Sequence, residues 1–254
     1  MSKRTRMKQI ENLLVLQGFV DVQSLSHSLQ VSDMTIRRDL AELVAQGKAT
    51  RTHGGALLPT EHYIDGNNIS ARSLLHISEK KAIAREAVKH LHSGDNIFVD
   101  DSSTVFCMLD YLPHNIQLIV TTNSLKTALA FSEFPNIDAF CLGGAVSKAT
   151  SSATGPYTMD LLGDMYFKTA FLGFPSITPD GIITTSSSHE LSIKRLLIKQ
   201  SENTIILMDS SKIKPPRFMK LGTLEEFSLI ITDSNAPQDF IDYCTDHSIK
   251  LSIV

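Results

Sequence analysis

Cysteine is scarce in this chain of 254 residues: only Cys107, Cys141 and Cys244 occur. The odd count and the wide spacing disfavour a disulfide framework and a zinc site. Buried free thiols in a reducing cytoplasm account for them, so a cytoplasmic location is expected. Long apolar runs are also missing. The uninterrupted stretches are a few residues, against the roughly 18 needed to span a bilayer, so no membrane partner is expected. Charge and amide groups break any apolar core in MSKRTRMKQIENLL, so no signal peptide is expected there. No HExxH, GxSxG, Walker loop or His/Cys metal spacing is present, nor any internal repeat. No cofactor, no metal and no catalytic residue are expected on that basis. Net charge is small, with 24 Lys+Arg against 27 Asp+Glu, and the chain is 42% hydrophobic and 20% charged. That composition is neither disordered nor membrane-like. The length allows one large domain or two of ordinary size.

The small mean charge hides an asymmetry. Residues 1–60 carry 8 Lys+Arg and 5 Asp+Glu, whereas the other 194 carry 16 and 22. A basic head on an acidic body suits a polyanion-binding module joined to something else.

In the head, Met7, Ile10, Leu13 and Leu14 fall at helical spacing, and Gly18 ends that helix. Asp21 can cap a short second helix carrying Val22, Leu25 and Leu29. After a tight turn at Gln30–Val31, Ser32 caps a third helix, SDMTIRRDLAELVAQ, which Gly47 ends. Two strands around the Gly-Gly of KATRTHGGALL then make a wing. On the third helix Ile36, Leu40 and Leu43 share the core side. Met34, Arg38, Ala41 and Ala45 lie opposite, flanked by Thr35 and Arg37. Such a helix fits the major groove of DNA, where arginine pairs with guanine. A solvated amphipathic helix with two arginines is the competing reading, and the short helix before it and the basic wing after it weigh against that.

The run VSDMTIRRDLAEL followed by GKATRTHGGAL resembles the winged helix-turn-helix of DeoR-type bacterial transcriptional regulators. The resemblance implies that the third helix reads operator bases and the wing touches the backbone. The matching positions are Ser32, Thr35, Arg37, Arg38, Arg51 and His53. For His53 a solvated wing histidine is an equal reading.

Residues 58–77 mix Pro, Gly, Asn and Ser and read as a linker between a head at 1–57 and a body at 78–254. Ser78 can cap the next helix, which carries Ile83, Ala87, Val88 and Leu91 on one stripe. Apolar runs at 96–100, 117–122, 138–143, 169–174, 204–209, 229–233 and 250–254 alternate with helical stretches. That pattern predicts an α/β body with a mostly parallel sheet covered on both faces. The polar stretches SKATSSATG and TTSSSHE read as mobile.

Such sheets bind ligands at the carboxyl ends of their strands. Here those ends are polar: Asp100–Thr104, Thr121–Ser124, Gly143–Gly144 and Asp209–Lys212. Hydroxyls and N–H groups at helix starts, with a lysine, suit a small anionic ligand. Ordinary helix capping explains any single one of these ends, but four on one rim point to a site.

The body also resembles the DeoR-type sensor domain over roughly residues 75–240, through EKKAIA, DDSST, VTTNS, LGG, MDSSK and ITD. The resemblance implies a ribose-phosphate-isomerase-like fold and a phosphorylated sugar or related metabolite as effector. Carried over, Asp100, Ser103, Thr104, Thr122, Asn123, Gly143, Gly144 and Lys212 become pocket residues. Lys194 in HELSIKR is a further one, though an exposed helix face explains it as well. Ser102 stands where the family commonly has Gly, which alters backbone approach to a phosphate.

The expected protein is a regulator, a repressor by resemblance, that binds double-stranded operator DNA. One head spans one half-site, so a homodimer or homotetramer is expected. The alternative is a sugar-phosphate isomerase or hydrolase with an accessory head, its acid–base groups drawn from Asp100, Asp101, Glu190 and Lys212. His189 beside Glu190 reads as surface. The polar rim disfavours a pure protein-interaction module.

Overall fold

A computed structural model describes residues 2–17, 19–52, 54–57, 72–73, 75–148 and 150–254, leaving out the side chains of 15–17. His53 and most of the 58–77 segment lie outside these residues. The chain divides into two compact units, Met1–Leu75 and His76–Val254.

The first unit packs α1 (Lys3–Gln17), α2 (Val22–Leu29) and α3 (Asp33–Ala45) around Ile10, Leu14, Leu25, Ile36, Leu40 and Leu43. Asp21 caps α2 by accepting the Ser24 N–H at 2.7 Å, and Ser32 caps α3 through the Thr35 N–H at 3.3 Å. Gly47 follows α3 at φ +68°, the left-handed position where glycine ends a helix without steric cost. The wing is β2 (Thr50–Arg51) paired antiparallel with β3 (Gly55–Leu57). The sequence reading missed a third strand, β1 (Phe19–Asp21), which pairs with the other edge of β3. It also put both wing glycines in the turn. Gly55 is in β3, where a Cβ would overlap the Val20 carbonyl.

The second unit is a seven-stranded, fully parallel sheet in the order β15–β14–β12–β9–β4–β5–β6. In chain order its strands are β4 (Asn96–Val99), β5 (Leu118–Thr122), β6 (Ile137–Cys141), β9 (Phe167–Leu172), β12 (Ser201–Leu207), β14 (Leu229–Thr232) and β15 (Leu251–Ile253). The central strands β4, β9 and β14 are apolar over most of their length, and β12 at its carboxyl end, because both faces are covered, whereas Phe140 of β6 and Ile253 of β15 are exposed at the edges. Ile97 and Val99 join one core with α4 (Ile77–Ala87), α5 (Ser103–Phe106) and α6 (Leu125–Ser132). Phe98 joins the other with α7 (Pro156–Gly163), α8 (Ser188–Gln200) and α9 (Gln238–Asp246). The chain runs outward from β4 to β6, then returns to β9 on the other side of β4. The β4/β9 junction is therefore the topological switch point, where the connections diverge and leave a crevice at the carboxyl ends.

Several details differ from expectation. Helix α4 begins at Ile77 with His76 as its N-cap, and Ser78 lies inside it. The polar stretch after β6 folds as a hairpin, β7 (Ala145–Ser147) with β8 (Ser152–Thr154). The TTSSSHE stretch runs from β11 (Ile182–Thr185) into α8. With β10 (Ser176–Ile177) and β13 (Met219–Thr223), β11 makes a small antiparallel sheet. Cys107 and Cys244 are buried as expected, but Cys141 is exposed on the edge strand β6. Among the described residues no helix is long and apolar enough to cross a membrane.

Candidate nucleic-acid interface and ligand site

Helix α3 presents one face to solvent. Met34 is 70% exposed, and Arg37, Arg38, Ala41 and Ala45 are exposed with it. Ser32 spends its hydroxyl on the helix cap and on the Thr35 hydroxyl 3.0 Å away, and Thr35 is half-buried. Arg51 is exposed on the wing. The opposite side of α3 carries a feature the sequence reading did not find. Asp39, buried, receives the Arg6 guanidinium of α1 in a fork, Nε to Oδ2 at 2.5 Å and Nη2 to Oδ1 at 3.1 Å. This pair ties α1 to α3 directly behind Arg38.

In the second unit the switch point is built around Asp100, the residue after β4. Its Oδ1 accepts the Ser102 N–H at 2.8 Å, and its Oδ2 accepts the N–H of Gly173, the residue after β9, at 2.8 Å. One carboxylate thus joins the two strands that flank the crevice. Lys194 of α8 reaches in from the other side. Its Nζ lies 3.2 Å from Asp100 Oδ2 and 2.7 Å from Glu190 Oε1, donates to the Gly173 carbonyl, and stands 4.4 Å from the Phe174 ring centroid. Glu190 in turn accepts from the Thr185 hydroxyl at 2.5 Å.

Burial raises the Asp100 carboxyl to about 6, against the opposing pull of Lys194. Burial alone would lower the Lys194 ammonium, but Glu190 and Asp100 outweigh it and hold it above the ordinary lysine value. Lys194 thus stays an ammonium within reach of both Asp100 and Glu190.

The neighbouring strand ends connect to this centre. Ser102 Oγ caps α5 by accepting the Thr104 N–H at 3.2 Å, and a Cβ on Gly173 would overlap that same hydroxyl. A side chain at 102 and a glycine at 173 are thus one fit. Ser103 and Thr104 are buried. Asp101 accepts the Ser152 hydroxyl at 2.6 Å, which holds β8 over the loop. Asn123 accepts the Ala153 N–H through its backbone carbonyl at 2.7 Å. Its buried Oδ1 has no hydrogen-bond partner among the described residues, an acceptor that calls for a donor. Thr122 Oγ1 accepts the Ser124 N–H at 3.0 Å. The Gly143 carbonyl accepts the Thr158 hydroxyl at 2.7 Å. Gly144, at φ +141°, lies where a Cβ would overlap Thr158 and the Thr154 carbonyl. Lys212 stands in a single turn at the end of β12, 3.9 Å from buried Asp209.

The family model described as DeoR-like helix-turn-helix domain matches residues 6–62, and the one described as DeoR C terminal sensor domain matches residues 75–234. The chain belongs to the DeoR family. Among curated relatives of this DeoR-family chain, an uncharacterized HTH-type transcriptional regulator of Bacillus subtilis, YulB, is 32% identical over 98% of this chain and 96% of its own length. The glycerol-3-phosphate regulon repressor of Escherichia coli is 28% identical over the full length of both. The lactose phosphotransferase system repressor of Staphylococcus epidermidis is 31% identical over 92% of this chain and 94% of its own. Among solved structures, ribose 5-phosphate isomerase A of Neisseria gonorrhoeae matches 55% of this chain and 54% of its own at 15% identity, with a TM-score of 0.39.

The DeoR-family body brings Asp100, Ser102 and Lys194 into direct contact. Lys194 is not on an exposed helix face: it is 4% exposed. Gly173, Thr185 and Ser152 went unnamed as site residues, and Glu190 was named only as an acid–base group of the enzyme alternative. Glu190 and Lys194 stand one helical turn apart in HELSIKR, the spacing of an ion pair, which was the available signal. Gly173 ends a strand already recognised as such.

Proposed function

We propose that this DeoR-family transcriptional regulator represses a carbohydrate-metabolism operon and that a phosphorylated sugar or related metabolite controls its operator binding. The observation that carries the reading is the polar centre at the switch point, with the orphaned acceptor of Asn123 beside it. Ser103–Thr104 and Lys212 take the phosphate, and Asp100 and Asn123 take the hydroxyls. Thr122, Gly143, Gly144, Ser102 and Lys194 shape and hold the pocket. Asp100 is engaged by two backbone N–H groups and an ammonium, which suits holding a ligand better than abstracting a proton.

The relatives from Escherichia coli and Staphylococcus epidermidis are named as repressors, and the protein acts by binding, not turnover. It works in the cytoplasm as a homodimer or homotetramer, because a palindromic operator needs two heads. A ligand changes operator affinity only by preferring one arrangement of the heads, and the 58–77 linker is where that difference is carried. A thermal-shift screen of phosphorylated sugars against the full chain tests the reading. A raised melting temperature without turnover of the same compound supports it, and steady isomerisation or hydrolysis overturns it in favour of an enzyme.

Arg38 reads a base and Arg51 contacts phosphate. Arg38→Ala is expected to cost about 1–3 kcal/mol on the operator and to relax specificity. Arg51→Ala is expected to weaken binding to all sequences and to lower the salt slope by about one unit. Equal loss on operator and random DNA for Arg38→Ala removes its base-reading role. Ser32, Met34, Thr35, Arg37 and His53 complete the interface.

Lys212→Ala is expected to leave operator affinity without ligand near the wild-type value. It raises the ligand concentration for release by the loss of one charge-assisted contact, about 1.5–3 kcal/mol. Anisotropy titrations of labelled operator check both halves, and an unchanged ligand response contradicts the assignment.

A further inference from the structure

The loop after β12 reads SSKIKPPRFMK, with Lys212, Lys214, Arg217 and Lys220 and no acidic residue. Lys212, Lys214 and Arg217 are all half-buried. Neither the Lys214 ammonium nor the Arg217 guanidinium forms a hydrogen bond or ion pair among the described residues. Lys214 and Arg217, partly desolvated and three positions apart, repel one another, and a fold keeps such a pair at a cost unless an anion joins it. Burial, then Lys212 and Arg217, lower the Lys214 ammonium to about 8.

The loop is held in place without any ligand. The Lys214 N–H donates to the Ile177 carbonyl at 2.9 Å, the Ser176 hydroxyl to the Pro215 carbonyl at 2.9 Å, and the Arg217 N–H to the Thr184 hydroxyl at 2.9 Å. Pro215 and Pro216 stiffen the span between these anchors. The anchors lie on β10 and β11, and Ser176 is three residues beyond Gly173 of the switch point. The loop leaves β12, which pairs directly with β9, so it belongs to the same rim as Asp100 and Lys194.

We infer that Lys214 and Arg217 extend the cationic seat beyond Lys212 and grip the phosphate of the effector, a phosphate monoester in its dianionic form. The inference rests on the proposed effector site and names its phosphate-holding residues. Charge complementarity supports it. Lys214 and Arg217 bring two positive charges that no ion pair among the described residues offsets, and a phosphate monoester carries a charge of roughly −1.5 to −2 at pH 7. Arginine offers the bidentate donor pair that phosphate oxygens match, and a preformed loop loses little entropy on binding.

Isothermal titration of the full chain with inorganic phosphate, and with whichever phosphorylated sugar gives the largest thermal shift, tests the inference. The proteins compared are the wild type, Lys214→Gln, Arg217→Gln and Arg217→Lys, each shown to melt cooperatively. Each glutamine variant is expected to bind both probes roughly tenfold or more weakly, the loss of one charge-assisted contact. Arg217→Lys is expected to recover part of the loss. Wild-type affinity in both glutamine variants overturns the inference and leaves the proposed effector site standing. No binding of any phosphorylated probe by the wild type overturns both.

Discussion

Replacing Lys194 with methionine is expected to destabilise the His76–Val254 unit by about 3–5 kcal/mol at pH 7, the range for a buried ion pair that loses one partner. The variant leaves the Asp100 carboxylate buried and Glu190 without its ammonium. The pH dependence carries a sign. In the wild type, burial already raises Asp100 to about 6, above its unfolded value of roughly 3.9. The folded state therefore binds the extra proton between those values, and stability is lost as pH rises through that window. Without Lys194 the folded value moves further up, and the window widens towards neutrality. The difference in melting temperature between variant and wild type is accordingly expected to narrow between pH 7 and pH 5. A difference that stays constant or widens contradicts the assignment of Asp100 as the stranded charge.

Asp39→Ala should be as damaging to the head. It strands the Arg6 guanidinium, which is 8% exposed and forked onto Asp39, at an expected cost of about 3–5 kcal/mol. Replacing both, Arg6→Met with Asp39→Leu, removes the desolvated charges together and should recover most of that loss. Thermal melts of the full chain, followed through the head by a probe on α1, measure both. A single substitution that costs less than about 1 kcal/mol, the ceiling for most exposed pairs, shows that the fork is a surface contact.

The helices of the head were readable because capping and periodicity agree there. Asp21, Ser32 and Gly47 mark ends that the apolar stripe Ile36, Leu40 and Leu43 had already placed. Strand β1 was not readable. It is three residues long, follows a helix almost directly, and owes its pairing to β3, which is distant in sequence. The parallel strands were readable as apolar runs because the central ones are buried on both faces. The β7–β8 hairpin and the β10–β11–β13 sheet were not, since their strands are short and several are Ser/Thr-rich. Asp100 stood out at a strand end, whereas Lys194 looked like any lysine on a helix. Its role depends on strand order, which sets β9 beside β4 and brings α8 over their ends. No spacing in the sequence encodes that adjacency. The Arg6–Asp39 fork escaped for the same reason, its partners lying on separate helices.

The most direct test of the account is an anisotropy titration of the full chain against a labelled operator duplex recovered by selection from random DNA. It is run with and without the phosphorylated sugar that gives the largest thermal shift, and again with the same sugar lacking phosphate. The phosphorylated sugar alone is expected to lower operator affinity, by a coupling of about 1–3 kcal/mol. Operator affinity that stays the same while the phosphorylated sugar is bound would contradict it.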